Sequence, residues 1–112
     1  MTVADFNNRL IKMKPVFLEL QFDSKDCLEV GIESRDEIED DFEEVLEKSG
    51  LGAVTGGGGG MGVYNIDVDL FDETKLQDAI SVIRKFLISL NVPRSSKIVR
   101  HTPHREEFSV YV

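Results

Sequence analysis

The stretch VYNIDVDLFDETKLQDAISVIRKFLISL, residues 63–90, decides the fold, because the spacing of its apolar residues changes partway along. Its first eight residues alternate, which predicts a strand whose buried face carries Tyr64, Ile66, Val68 and Leu70. From Asp72 or Thr74 onward the apolar spacing is helical, and Asn91 and Pro93 end the predicted helix. The predicted buried stripe of this helix is Leu76, Ala79, Ile80, Ile83, Leu87 and Leu90, widened by Val82 and Phe86.

A second helix is predicted upstream of this stretch. Ser34 and Glu37 have the spacing of a capping box, in which the serine hydroxyl accepts from a helix amide and the glutamate reaches back to the cap. Gly50 is placed to end the helix in a left-handed conformation. One apolar stripe runs between these two signals and consists of Ile38, Phe42, Val45 and Leu46.

Strands are predicted on both sides of the two helices. Residues 16–22 alternate between apolar and polar, which indicates a strand with one buried face, and residues 23–26 indicate a turn. Residues 28–32 alternate again, and two interpretations stay open: a strand that pairs back on the first one, or an extended lead-in to the helix. Near the carboxyl end, short strands are predicted at 98–99 and 108–112, separated by a turn at 102–104.

Length and element order predict the architecture. A chain of 112 residues favours a single domain over residues 1–112, with a short amino-terminal helix within residues 1–14. Two helices separated by a pair of strands fit an α+β, ferredoxin-like two-layer sandwich. In such a sandwich an antiparallel sheet carries its two main helices on one face, and the remaining predicted strands extend the sheet at its ends.

The glycine run between the two middle strands is predicted to be a mobile hairpin loop spanning residues 56–62. It also matches G-x-G-x-x-G, but a phosphate-binding loop needs a helix after it, and here a strand follows. A second interpretation is that the loop admits close approach by a ligand or partner and orders on binding. The candidate loop residues are Gly56, Gly57, Gly58, Gly59, Gly60 and Met61.

The first of the two main helices is strongly acidic. Nine acidic residues lie between Glu33 and Glu47, with Arg35 as the only base among them. Like charges four residues apart on a helix repel each other, so this pattern favours either a solvated face or a surface that attracts a basic partner. The candidate partner-binding residues are Glu39, Asp40, Glu43, Glu44 and Glu47.

Charge and cysteine content exclude several classes of function. The net charge of −8 argues against binding to nucleic acid or to anionic membranes, and no apolar run is long enough to span a bilayer. Cys27 is the only cysteine, so neither an internal disulfide nor a cysteine zinc site is expected, which fits a cytoplasmic location. We expect no metal and no cofactor.

Few residues indicate catalysis. Asp67 and Asp69 share one strand face, as do the Mg²⁺-binding carboxylates of polymerase-palm and nucleotidyl-cyclase enzymes, but basic groups for a phosphate are missing nearby. His101 and His104 flank a turn and are interpreted as surface residues that pair with Glu106 or Glu107. The sequence therefore favours a protein that is not an enzyme.

Part of the chain resembles known proteins. The segment 51–70 joins Thr55-Gly56-Gly57-Gly58 to Ile66-Asp67-Val68, and this resembles small uncharacterised bacterial proteins in which a T-G-G-G run precedes an I-D-V strand. Residues 90–98 continue the likeness, which covers the second half of the chain. By size and charge the chain is also similar to immunity proteins of bacterial toxin systems. The first resemblance implies no activity, and the second implies a role as an inhibitor of a basic protein.

These observations lead to one functional prediction and two alternatives. The prediction is a non-enzymatic domain that binds a basic protein, as an immunity-type inhibitor does. The first alternative is a regulatory module that binds a small ligand, as ACT-like or PII-like domains do, and dimerises through a sheet edge. The second is a metal-dependent phosphoryl-transfer enzyme that uses Asp67 and Asp69.

Overall fold

A computed structural model describes residues 16–111 of the chain. The amino-terminal helix predicted within residues 1–14 lies outside the described residues. The fold is α+β, with five strands and three α-helices in the described part. The strands are β1 (Val16–Asp23), β2 (Gly52–Gly60), β3 (Val63–Leu70), β4 (Lys97–Thr102) and β5 (Glu106–Ser109). The helices are α1 (Ser24–Glu29), α2 (Asp36–Ser49) and α3 (Leu76–Ser89), with a 3-10 turn at Glu73–Lys75.

The five strands form one antiparallel sheet in the order β2-β3-β1-β4-β5. Strand β1 lies in the middle, with Leu20 opposite Ile66 of β3 on one side and Ile98 of β4 on the other. Strands β2 and β5 are the two edges of the sheet formed by residues 16–111. Along the chain the strands β2 and β3 lie between α2 and α3, as the sequence predicted.

The core forms where the predicted stripes meet. Alternate residues of β1 are fully or almost fully buried, while Phe17, Glu19 and Gln21 between them are half-buried. Both long helices contribute their apolar stripes to the same cluster, because burying these faces is the main favourable term in folding. The main members are Val16, Leu18, Leu20, Phe22, Ile38, Phe42, Leu46, Ile66, Val68, Ala79, Ile80, Ile83, Leu87 and Ile98.

Residues 24–29 form helix α1, where the sequence predicted a turn and then a strand or an extended lead-in. The predicted turn and strand are wrong, because Asp23 acts as an N-cap and its Oδ1 accepts a hydrogen bond of 2.9 Å from the Asp26 amide. The lead-in is wrong for residues 28–29, which belong to α1, whereas residues 32–34 are neither helix nor strand and lead into α2. The alternation that predicted a strand is misleading: the side chain of Leu28 is 60% exposed. Only Cys27 of this helix is buried.

The ends of the two long helices follow the predicted signals in most respects. Gly50 ends α2 with a left-handed φ of 72°, as predicted. Helix α3 begins after the 3-10 turn, where the Asp72 carboxylate accepts a hydrogen bond from the Thr74 amide. Hydrogen bonds from the Thr74 side chain and backbone lower the pKa of Asp72. The chain leaves α3 through Asn91, whose φ is 58°.

The glycine run forms most of strand β2 instead of a loop. Residues 56–60 pair with β3 in continuous register, from Gly56 opposite Asp67 to Gly60 opposite Val63. The loop prediction is therefore wrong for these residues. Only Met61 and Gly62 form the turn, and both have positive φ, as a two-residue hairpin requires. Glycine has a low intrinsic preference for strands, so the sequence does not predict a strand here. The strand forms because the glycines pair with β3.

Helix α1 places the only cysteine of the chain in the core. Cys27 is fully buried, and burial together with the negative charges of Asp23 and Asp26 raises the pKa of its thiol to about 11. We expect the native protein to resist alkylation by iodoacetamide at neutral pH and the denatured protein to react fully, as measured by mass spectrometry.

The same pKa also affects stability in alkaline solution. The unfolded thiol ionises near 9.0 and the folded thiol near 11, so the folded state holds its proton longer. The contribution of this thiol to stability is therefore full below pH 9.0 and is lost as the pH rises towards about 11. In the alkylation experiment, rapid and complete reaction of the native protein at neutral pH would contradict the burial of Cys27.

Candidate functional site

The candidate site begins at the free edge of strand β2. In the described part of the chain, β2 pairs with β3 on one side only, so the backbone amides and carbonyls of its other side face outward. Five consecutive glycines, residues 56–60, place no side chain along this edge. Natural sheets protect their edges with charged side chains, proline or bulges. Among residues 16–111 the only such device on β2 is a shift of register between Val54 and Gly56, before the glycines begin.

Helix α2 is held against this strand through Arg35. A Cβ on Gly57 would collide with the Arg35 guanidinium and would lie 2.7 Å from the Asn65 carbonyl oxygen, so the arginine rests on bare backbone. The hairpin contacts the same region again, where the Tyr64 hydroxyl donates a hydrogen bond of 3.4 Å to the Glu33 carbonyl. The start of α2 and the glycine strand are therefore neighbours.

Half of the predicted capping box is present at the start of α2. The Glu37 carboxylate accepts hydrogen bonds from the backbone amides of Glu33 and Ser34. The reciprocal bond, in which the Ser34 hydroxyl would accept from the Glu37 amide, is not made, because this amide donates to the Ser34 carbonyl at 3.3 Å. The helix begins after Arg35, which makes no side-chain cap. One oxygen of the Glu37 carboxylate is therefore engaged by the backbone that precedes the helix.

A ridge of acidic side chains continues from Arg35 along α2. Residues four apart are neighbours on a helix and turn by about 40° per step, so Glu39, Glu43 and Glu47 follow Arg35 from the flank beside β2 towards solvent, and we call these three residues the acidic ridge. Because Arg35 lies on β2, the start of this ridge borders the glycine strand. The opposite flank of α2 lies beside α3, where Val45 and Ser49 share a groove with Val82.

The predicted partner-binding residues are not equivalent. Glu39 is half-buried and paired with Arg35, so its charge is already neutralised. Glu44 pairs with Lys48 at 2.8 Å, which lowers the pKa of the carboxyl and raises that of the amine. Among the described residues no cation lies within ion-pair distance of the other three predicted residues, Asp40, Glu43 and Glu47. The same holds for Asp41, which was not among the predicted residues.

The two strand aspartates lie on one face of β3, as the alternation predicted. Asn65 donates a hydrogen bond of 3.3 Å to Asp67 Oδ1, and Asp69 is exposed. Within residues 16–111 no three His, Cys, Asp or Glu side chains are arranged to hold a metal ion.

The histidines have partners that the sequence did not predict. His101 Nε2 lies 2.8 Å from Glu19 Oε1, and its ring lies 5.5 Å from that of Phe17. His104 contacts Arg100, and Glu106, predicted as a histidine partner, binds Arg100 at 2.6 Å instead. Arg100 is only 9% exposed, and the sequence did not single it out as a buried or functional residue. The contact of His101 with Glu19 has no local signal, because the sheet brings together residues 82 apart in sequence. The contacts of Arg100 are with residues four and six positions later in the chain.

No helix in the described part of the chain has the length and apolar character needed to cross a membrane. Comparison of this chain with protein families, with curated proteins and with solved structures finds no match.

Proposed function

We propose that this protein is a non-enzymatic binding domain that takes up a basic, extended segment of a partner protein along strand β2. The observation that carries the proposal is the position of Arg35, which rests on one face of β2 at Gly57 and so holds the start of α2, where the acidic ridge begins, over the edge strand of the sheet. Among residues 16–111 no strand pairs with the outer side of β2, and Glu43 and Glu47 add unpaired negative charge on the neighbouring helix.

The proposal includes a ferredoxin-like sandwich with both long helices on one face of the sheet. Support comes from the strand order, in which β4, β1, β3 and β2 are adjacent and antiparallel, with β5 added outside β4. Further support comes from the single core that α2 and α3 share with β1 and β3. A cytoplasmic location also belongs to the proposal and is supported by the free thiol of Cys27.

An added strand explains why backbone and charge occur together in this site. A peptide that extends a sheet gains its affinity from main-chain hydrogen bonds and its specificity from alternate side chains, which point to one face. Lysine or arginine at every second position would therefore face the acidic ridge. Attraction between complementary charges also speeds association, and this attraction weakens as the salt concentration rises. The partner class is thus a protein segment with alternating basic residues.

The test is a titration of the protein with fluorescent peptides that alternate lysine and threonine. We expect saturable binding that weakens as salt rises, measured by fluorescence anisotropy. A peptide with the same sequence but N-methylated at alternate residues loses the strand hydrogen bonds and keeps the charge, so we expect it not to bind. Equal binding of the two peptides would show attraction by charge alone and would overturn the strand-addition proposal.

A charge-reversal pair tests the acidic ridge. Glu43→Lys with Glu47→Lys is expected to weaken peptide binding by about tenfold or more, which corresponds to about 1.4 kcal/mol. The matched control is Glu29→Lys with Glu73→Lys, since these residues are also exposed and the change in net charge is the same. If both variants lose the same affinity, the ridge has no specific role. The Arg35–Glu39 pair stays intact in both variants.

A further inference from the structure

A groove between α2 and α3 lies on the side of α2 opposite the acidic ridge. It has a volume of about 500 Å³, within the range of roughly 300–1,000 Å³ that is typical of small-molecule sites. Its apolar lining consists of Val45, Val82 and Phe86, all of them half-buried. These residues lie outside the fully buried stripes of the two helices, so the core does not use their outward surface.

The floor of the groove is firmly supported. The ring of Phe86 lies 5.6 Å from that of Phe42, which is fully buried in the core. An apolar ligand would therefore meet a surface that is already in place. Removing such a surface from water is favourable by about 25 cal/mol per Å² of apolar area.

Two lysines stand at this groove in a chain whose net charge is −8. Among residues 16–111 no carboxylate lies within ion-pair distance of Lys85, and Lys48 is engaged only with Glu44 in an exposed pair. Exposed pairs of this kind are weak, so Lys48 is readily shared with a ligand. Positive charge beside an apolar floor selects an anion with an apolar body.

The serine hydroxyls of the groove do not supply further polar contacts. Ser49 Oγ donates to the Leu46 carbonyl at 2.6 Å, and Ser89 Oγ donates to the Phe86 carbonyl at 2.5 Å. Both hydroxyl protons are thus used within their own helices. The lysines are left as the groups that can orient a ligand.

We propose that this groove binds a small amphiphile, an apolar body of about the size of a fatty acid or a fused ring system with one acidic group. The residues that line the groove span only about one and a half turns of α2, from Val45 to Ser49, and about two turns of α3, from Val82 to Ser89. Beyond it α2 presents Asp41 and Glu44, which repel an acidic helix and give an apolar one nothing to pack on. A compact ligand matches both the size and the charge of the site. This inference is independent of the proposed function, which uses the other flank of α2.

The test uses anilinonaphthalene sulfonate, whose fluorescence rises in apolar surroundings, and N-phenylnaphthylamine, which has a similar aromatic body but no acidic group. We expect saturable binding of the sulfonate at one site per chain and weaker binding of the neutral probe. Dodecanoate should displace the sulfonate, whereas dodecyltrimethylammonium should not. Equal affinity for the acidic and neutral probes, or no saturable binding by the folded protein, would overturn the proposal.

Lysine variants locate the site. Lys85→Glu is expected to weaken sulfonate binding by about tenfold, in line with the loss of a charged contact. Lys25→Glu, on α1, makes the same change in net charge at an exposed residue outside the groove and should leave binding unchanged. Equal loss in the two variants would overturn the proposal. Self-association that increases with protein concentration and excludes the probe would show a second copy as the occupant, which would also overturn it.

Discussion

Replacing Phe42 by alanine is expected to remove about 3–5 kcal/mol from the free energy of unfolding, the largest effect of any single change considered for this protein. Phe42 is fully buried on α2, and its ring contacts that of Phe86 on α3. The loss combines the transfer of the ring to water with the cavity left between the two helices. Domains are stable by roughly 5–15 kcal/mol, so the variant should be close to unfolding.

Chemical unfolding followed by circular dichroism measures this effect. The matched control is Phe71→Ala, because Phe71 is 57% exposed and exposed residues change stability by no more than about 0.5 kcal/mol. A loss below about 1 kcal/mol in the Phe42 variant would contradict the burial of this ring, because such a loss is the size of a surface or cap effect.

The second large effect is a difference in stability between alanine substitutions at two glycines of strand β2, Gly52 and Gly58. A Cβ on Gly52 would lie 2.5 Å from the Asp69 carbonyl oxygen, which belongs to the paired strand and cannot move aside. A Cβ on Gly58 meets only the Asn65 Oδ1 at 3.7 Å, an ordinary contact. We expect Gly52→Ala to destabilise the fold by about 1–3 kcal/mol, as overpacking does. Gly58→Ala should stabilise it by up to about 1 kcal/mol, because alanine loses less conformational entropy on folding.

The same unfolding measurement compares these two variants directly. They differ only in position along one strand, so a general effect of glycine replacement cancels between them. Equal changes in both variants would contradict the observed register of β2 on β3. A destabilised Gly58 variant would contradict the open space seen at that position.

The core was largely predictable from the sequence, because it depends on periodicity. Ile38, Phe42 and Leu46 recur at helical spacing and are buried in α2. The alternation in β3 likewise buries Ile66 and Val68, since a strand sends every second side chain to the same face. These periodic patterns predict the core because each helix and strand must bury one face.

Features that depend on three-dimensional contacts were not predictable. The pairing of His101 with Glu19 joins residues 82 apart in sequence, and no local spacing encodes it. Helix α1 buries only Cys27 and is capped by Asp23, so its sequence shows no apolar stripe that would predict a helix. The alternation of residues 28–32 predicted a strand instead. Within the candidate site, the acidic charge of α2 was evident from the sequence. Its position beside the glycine edge was not, because only the contact of Arg35 with Gly57 shows it.

The five consecutive glycines of β2 carry no side chains that must point to one particular face of the sheet. In an ordinary strand the loss of one residue sends every following side chain to the wrong side of the sheet. Here the glycines have no side chains to misplace, and the irregularity between Val54 and Gly56 already contains one surplus residue. Deletion of a single glycine would restore a regular ladder there and leave Val54 opposite Val68. The run can thus lose one residue without moving Val54 from its place opposite β3.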